Sequence, residues 1–517
     1  MKLLHAWKEK DLWIKKGYIV PSYDRPAMIE NTKEAPIWVH FGSGNIFRSF
    51  FAPVQDILLG KGLSSKGIVV VGRKESEEIE AAYWPNDNMS VFASLKADGQ
   101  MDKYVVGSVA DALSVGEDKK GEGWDRLLKV FEAPSLQMVS FTITEKGYAG
   151  LHDGSVMDQA ATALYHRYQN GAFPVAMVSQ DNCSQNGQKL LDAITAISEK
   201  KVAEGTFDKD FLSYISDKNK VSFPWSMVDK ITPRPDVRIA ERLEADGAEN
   251  MAPFVTPANT YTAAFVNGEE TQYWVVEDWF PNGRPPLENA GILFTDRDTV
   301  EQTERMKVCT CLNPLHTALA IFGCLLSYDS ISAEMKDKDL VRLVNRLGFV
   351  EGMPVVTDPG ILSPEEFIKQ VLDARFPNPF IPDTPQRIAS DTSQKLSIRF
   401  GETIKEYMAG ANGGVKTLQA IPVVLAGWCR YLMSINDEGE AFQMSDDPRL
   451  EEVSAYVKDI KLGDTGPFYA QLDPLFHDVS IFGVDLYEAG LADEVHAAFV
   501  KLVSGKGSVR KVLEELN

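Results

Sequence analysis

The sequence predicts an α/β fold in its first half and a mainly α-helical fold in its second. Three observations predict it. Short apolar, β-rich runs alternate with helical patterns through the first half, which is how a parallel sheet with helices on both faces reads. A Gly-x-Gly turn follows the first of these runs and opens a helix. After about residue 295, strand signals give way to amphipathic and buried helices. At 517 residues the chain is too long for one ordinary core. The expected boundary falls in 294–298, giving domains over 1–295 and 296–517.

The elements follow in order. IWVHF at 37–41 is a buried strand, and GSGNIFRSFFAPVQDILLGKG is its glycine turn and helix. Ile46, Phe50, Val54, Ile57 and Leu58 share one side of that helix, and Gly60 and Gly62 end it. GIVVVG at 67–72 is a second buried strand, with further strands at 138–144 and 173–179 and a helix, DQAATALYHRYQ, between those two. In the second half HTALAIFGCLLSY, PEEFIKQVLDARF, AIPVVLAGWCRYLMSI and LADEVHAAFVKLVSG read as helices. The segments SMVDKITPRP (226–235) and VEDWFPNGRPP (275–286), with isolated charges and prolines, read as ordered loops.

Composition excludes several function classes. A formal charge of -21 argues against nucleic acid or an anionic membrane surface as partner, since both require a basic footprint. It leaves an anionic small molecule open, because local basic groups can dominate a cleft. The N-terminus alternates apolar and charged residues, so no secretory signal is expected, and no run of about 18 apolar residues predicts a membrane span. Five sparse, irregularly spaced cysteines fit reduced thiols in the cytoplasm.

GSGNIF, comprising Gly42, Ser43, Gly44, Asn45, Ile46 and Phe47, lets backbone N–H groups approach a pyrophosphate at the positive end of a helix. The strand-turn-helix context makes this a Rossmann-type dinucleotide-binding turn, although Phe47 replaces the third glycine of the fingerprint. The next strand ends in Gly72-Arg73-Lys74-Glu75. Glu75 is the candidate for the adenosine ribose, while Arg73 or Lys74 would meet a 2′-phosphate, so NAD is expected and NADP stays open. TEKGY, with Glu145, and SQDNCSQNG both follow strands, where α/β folds place binding groups; plain turns are the alternative. Arg387, Lys395 and Arg399 gather in an otherwise acidic chain, either as solvated cations or as a carboxylate-binding cluster. A metal reading of Cys309 and Cys311 fails on spacing, since no second ligand pair exists.

Together, HFGSGNIFR, TITEKGY, SQDNCSQNG, SMVDKITP, EDWFPNGRPPLENAG, ERMKVCTCLNPLHTALA, RFPNPFIPD and RIASDTSQKLSIRF resemble the long-chain polyol-specific dehydrogenase/reductase family. The resemblance implies an N-terminal Rossmann-type domain, a helical C-terminal domain, a nicotinamide cofactor, no metal and a monomer. It assigns Lys307 as general base, Asn182 and Asn313 as oxyanion-binding amides and His316 as a catalytic-site histidine. Glu304 matches a residue linked to proton exchange, and Asp229, Arg387 and Lys395 match substrate-contacting positions. The implied reaction interconverts a keto-hexuronate and a hexonate, fructuronate and mannonate. Mannitol or another polyol, and tagaturonate, are the alternatives, with a nicotinamide-binding sensor as the non-enzyme reading.

One departure from the family pattern carries a structural expectation. There the asparagine and histidine follow the lysine by five and eight residues; here the intervals are six and nine. On a straight helix at about 100° per residue, Lys307 and His316 would face opposite ways. A π-bulge around 309–311 would absorb the extra residue. So would a break with Asn313 as N-cap and Pro314 at the first helical position.

Overall fold

The computed structural model describes residues 1–73 and 77–516. The chain divides into two compact units, one comprising Met1–Lys96 and Gln100–Glu301, the other Ala97–Gly99 and the residues from Gln302 on.

The first unit is built on six parallel strands: β1 (Trp38–Phe41), β2 (Ile68–Arg73), β3 (Val109–Val115), β4 (Met138–Phe141), β5 (Val175–Ser179) and β6 (Val221–Ser222). Their order is β3-β2-β1-β4-β5-β6, the doubly wound order that reverses at β1 and opens a crevice at the strand C-termini. Alternate residues serve opposite faces. Val39, Phe41, Val69, Val71, Val139 and Phe141 pack under one layer of helices. Trp38, Val70, Met138, Ala176 and Val178 face the other side, with Phe50, Val54 and Leu58. The helix after β1 begins with a π turn, Phe47–Phe51, and continues as α1 (Ala52–Gly60). Ile57 is 39% exposed, so the apolar stripe is narrower than its spacing suggests.

Strands β3 and β6 went unread in the sequence, as did a four-stranded sheet of Tyr18–Ile19, Met101–Val106, Ser90–Leu95 and Phe265–Glu269. The segment at 226–235, expected as a loop, opens with a strand, Ser226–Asp229. It pairs antiparallel with Tyr273–Glu277, because Met227 and Val228 are buried against the core. The helices of this unit also include α2 (Glu122–Glu132), α3 (Val156–Gln169) and α4 (Asn186–Ala203).

The long run at the start of the second half is α5 (Arg297–Met306), a π turn Lys307–Cys311 and α6 (Asn313–Leu325). By length and apolarity it passes for a membrane span, yet 78% of its most apolar window is buried within the protein. Helix α6 packs on α7 (Ala420–Tyr431), which packs on α8 (Ala492–Val503). Gly427 permits the first contact, since a Cβ there would come within 2.7 Å of the Phe322 ring. Buried Glu351 closes the N-terminus of α7, accepting from the backbone N–H groups of Gln419, Ala420 and Ile421 at 2.7–2.9 Å. A carboxylate there meets the positive end of the helix dipole.

Candidate active site

In the first unit the phosphate-type turn is held by its neighbours and bare where a ligand would approach. Gly42 adopts φ +118, and a Cβ there would collide with the Thr142 carbonyl, so glycine is required. Gly44 has no atom within 4 Å of where its Cβ would be, leaving its backbone accessible. Ser43 turns inward: its hydroxyl donates to Glu78 at 2.7 Å, and Tyr83 donates to its carbonyl at 2.6 Å. Phe47 is fully buried and stacks on His40, ring centroids 4.3 Å apart, so a packed side chain stands at the third-glycine position. Asn45 donates to the Pro233 carbonyl at 3.2 Å, and Ile46 is half-buried. Gly42, Ser43, Gly44, Gly72, Arg73 and Thr142 help line a cleft of about 250 Å³. Arg73 pairs with Glu117 at 2.9 Å at the end of β2. Glu75 and Lys74 lie outside the described residues.

Two residues that sequence reading left among generic polar groups arrange the loops after β4 and β5. Asp181 accepts from the N–H groups of Ile143 and Thr144 at 3.0 and 2.9 Å and from the Tyr148 hydroxyl at 2.6 Å. Burial raises its carboxyl above the ordinary range, and burial together with Asp181 pushes the Tyr148 phenol well up. Asn186, fully buried, donates to the carbonyl of Asp181 and to the Ser226 hydroxyl, both at 3.0 Å, and accepts from the Ser226 N–H at 2.9 Å. It thereby ties the loop bearing exposed Asn182 to the strand that ends in buried Asp229. Glu145 is exposed and pairs with Lys189.

In the second unit the extra residue is absorbed where the helix changes pitch. Lys307, 3% exposed, opens the π turn, and the Leu312 N–H donates to the Lys307 carbonyl at 3.1 Å, an i→i+5 bond. Leu312 then leaves helical geometry (φ -130, ψ -64), and α6 restarts at Asn313. Both expected remedies are present, with one correction. Leu312 is the N-cap, Asn313 the first helical residue and Pro314 the second, because the π turn moves the break one residue earlier. Glu304 is half-buried one turn before Lys307.

His316 lies on the first turn of α6. Its Nε2 is 3.4 Å from Asp383 Oδ2 without hydrogen-bond alignment, and its ring leans on Phe376, centroids 5.0 Å apart. Burial, then Arg399, Arg375, Arg387 and Lys395, push the imidazole down to about 3, so it is neutral near pH 7. Arg387 pairs with Asp383, and Lys395 donates to the Ser390 carbonyl at 2.6 Å. Arg399 donates to the Thr317 hydroxyl, which donates in turn to the Asn313 carbonyl at 2.9 Å. The turn bearing Arg399, Ser397–Gly401, is another π turn and packs against Lys307–Cys311. The second unit therefore gathers Asn313, His316, Arg387, Lys395 and Arg399, and adds Arg375 and Asp383, which the sequence offered only within RFPNPFIPD. Cys309 and Cys311 are buried, with thiols pushed up to about 11 and about 12 by desolvation. Among the described residues, no three His, Cys, Asp or Glu side chains converge as metal ligands.

Known proteins resemble this chain in sequence and fold. A family model described as the mannitol dehydrogenase Rossmann domain matches residues 36–289, and one described as the mannitol dehydrogenase C-terminal domain matches 299–503. The chain belongs to the mannitol dehydrogenase family. A D-mannonate oxidoreductase of Thermotoga maritima is 48% identical, covering 98% of this chain and 97% of that one. A mannitol 2-dehydrogenase of Cereibacter sphaeroides is 27% identical over 82% and 86% of the two chains. The mannitol 2-dehydrogenase of Pseudomonas fluorescens, solved as a ternary complex with NAD and D-mannitol, matches with a TM-score of 0.69 at 25% identity. That match covers 100% of this chain and 99% of that one. As a mannitol dehydrogenase family member, the chain is an oxidoreductase with a Rossmann-type domain and a helical C-terminal domain.

Proposed function

We propose that this chain is an NAD-dependent D-mannonate oxidoreductase, interconverting mannonate and fructuronate in the cytoplasm as a monomer. The observation that carries the substrate is the 48% identity, over nearly the whole of both chains, to a D-mannonate oxidoreductase. NAD is supported by the family's Rossmann domain and by the Pseudomonas fluorescens relative, which holds it. The residues present fit the cofactor: bare Gly44, the cleft beside Gly42 and the inward Ser43 leave backbone N–H groups for a pyrophosphate. When bound, the nicotinamide accepts or donates the hydride.

In this reading Lys307 removes the hydroxyl proton during oxidation and returns it during reduction. Burial is the condition under which a lysine can act near neutral pH, because desolvation disfavours its charged form. Asn182 and Asn313 donate side-chain N–H bonds to the reacting oxygen, stabilising alkoxide character without adding a titrating group. Neutral His316 orients the substrate, and Glu304 passes the proton of Lys307 to solvent. Asp229, Arg387 and Lys395 hold the sugar chain. The test is turnover of mannonate, altronate and mannitol with NAD and with NADP, followed by nicotinamide absorbance. Mannonate with NAD is the expected best pair. Turnover of mannitol alone rejects the sugar-acid reading, and size-exclusion chromatography with light scattering tests the monomer.

A further inference from the structure

Arg399 holds a charge that no carboxylate among the described residues neutralises. It sits mid-way along the π turn Ser397–Gly401, and its guanidinium donates to the Thr317 hydroxyl. Among the described residues no carboxylate lies within ion-pair distance of it, although the chain carries 74 acidic residues against 53 basic ones. Its neighbours are provided for differently: Arg387 has Asp383, and Lys395 has the Ser390 carbonyl, with Asp391 at 3.9 Å. Desolvation drags Arg399 down to about 10, a sign of how far it is withdrawn from water. A desolvated guanidinium with no counter-ion is costly to a fold unless a ligand completes it. Its planar fork matches a carboxylate.

The position is equally specific. Thr317 follows His316 on α6, and its hydroxyl also reaches the Asn313 carbonyl. Arg399 is therefore fastened to the helical turn that carries two of the proposed catalytic residues. A hexonate places its carboxylate at the far end of the chain from the reacting carbon, whereas a neutral polyol has only a hydroxymethyl group there. We infer that Arg399 binds the substrate carboxylate and is the residue by which this site prefers a sugar acid to a neutral polyol. The inference rests on the proposed reaction with mannonate. Binding a hydroxymethyl group in the same place would leave the guanidinium desolvated and unpaired.

The test uses the full chain with Arg399→Met and Arg399→Lys. Mannonate is measured as substrate, and mannitol as substrate or as competitor. Arg399→Met is expected to lower the preference for mannonate over mannitol by at least about 30-fold, chiefly through KM, the scale of truncating one partner of a buried charge pair. NADH binding, read by fluorescence, is expected to stay unchanged. The free variant should melt no lower than the wild type, since a half-buried charge without a carboxylate partner has gone, and mannonate should no longer raise its Tm. Arg399→Lys should recover part of the preference. Equal losses on mannonate and mannitol, or a lower Tm of the free Arg399→Met protein, would make Arg399 structural and overturn the inference. A preference changed less than about threefold would overturn it too, since removing a bound carboxylate's partner costs more. A wild type inactive on mannonate removes the proposed substrate instead. A wild type active on mannonate with an indifferent Arg399→Met removes only this role.

Discussion

Lys307 and His316 are both withdrawn from water. Lys307 opens a π turn at 3% exposure, and replacing it by Ala should cut turnover about a hundredfold to ten-thousandfold while NADH still binds. Near-normal turnover in that variant would put the base elsewhere. His316 is held neutral by burial and nearby cations, its value lowered from 6.5 to about 3. The sign follows: above pH about 6.5 neither folded nor unfolded chain carries the proton, and the contribution to stability is complete. As pH falls from there toward 3, the unfolded chain binds a proton that the folded one refuses, so stability is lost. His316→Asn should therefore flatten the decline of Tm between pH about 6.5 and about 4. An unchanged slope would show that the ring is solvated. Residue types and order made Lys307, Asn313 and His316 recognisable in the sequence through a family resemblance. Asp181, Asn186 and Asp383 were not singled out, because their importance lies in partners distant along the chain.

Elements set these residues by departures from regular geometry. Of the four π turns described in the second unit, Lys307–Cys311, Val371–Arg375 and Ser397–Gly401 carry Lys307, Arg375 and Arg399, and the fourth is Arg346–Gly352. A π turn rotates side chains less per residue than an α-helix, so it can hold an inserted residue without turning the downstream helix away. The six-and-nine spacing pointed to one of these turns; nothing in local composition marked the others. Gly401→Ala should test the third, since a Cβ would collide with the Phe482 carbonyl. A loss of about 1–3 kcal/mol in denaturant unfolding is expected from such overpacking. Glu351→Gln should cost a similar 1–3 kcal/mol, about the worth of charged hydrogen bonds to buried donors, because three N–H groups of α7 depend on that carboxylate. The βαβ pattern and the main helices were legible because each buries a periodic face. The short strands Ser90–Leu95 and Phe265–Glu269 were not, being buried throughout and so lacking alternation.

At the scale of the whole molecule, the chain joins a dinucleotide-binding sheet to a helical unit rich in desolvated cations. Four of its five cysteines are buried, and burial raises Cys309, Cys311, Cys324 and Cys429, so none is poised as a thiolate. Proton transfer by a lysine requires no Lewis acid. Prolonged dialysis against a chelator should therefore leave turnover of mannonate within about twofold, the base being an amine rather than a metal-bound oxygen. Activity lost to the chelator and restored by a divalent cation would reject that scheme. Net charge was legible from composition, whereas the local reversal of sign around His316 was not, because it takes folding to bring Arg375 beside Arg399.

The solitary guanidinium of Arg399 also bears on how quickly an anion arrives. A protein of formal charge -21 repels an approaching sugar acid at long range, while the half-buried cation attracts it only at close range. Salt screens the first interaction far more than the second. Encounter with mannonate should accelerate as ionic strength rises from about 0.01 M to about 0.1 M, over which the screening length falls from about 30 Å to about 10 Å. Stopped-flow binding should show this acceleration for mannonate and none for mannitol.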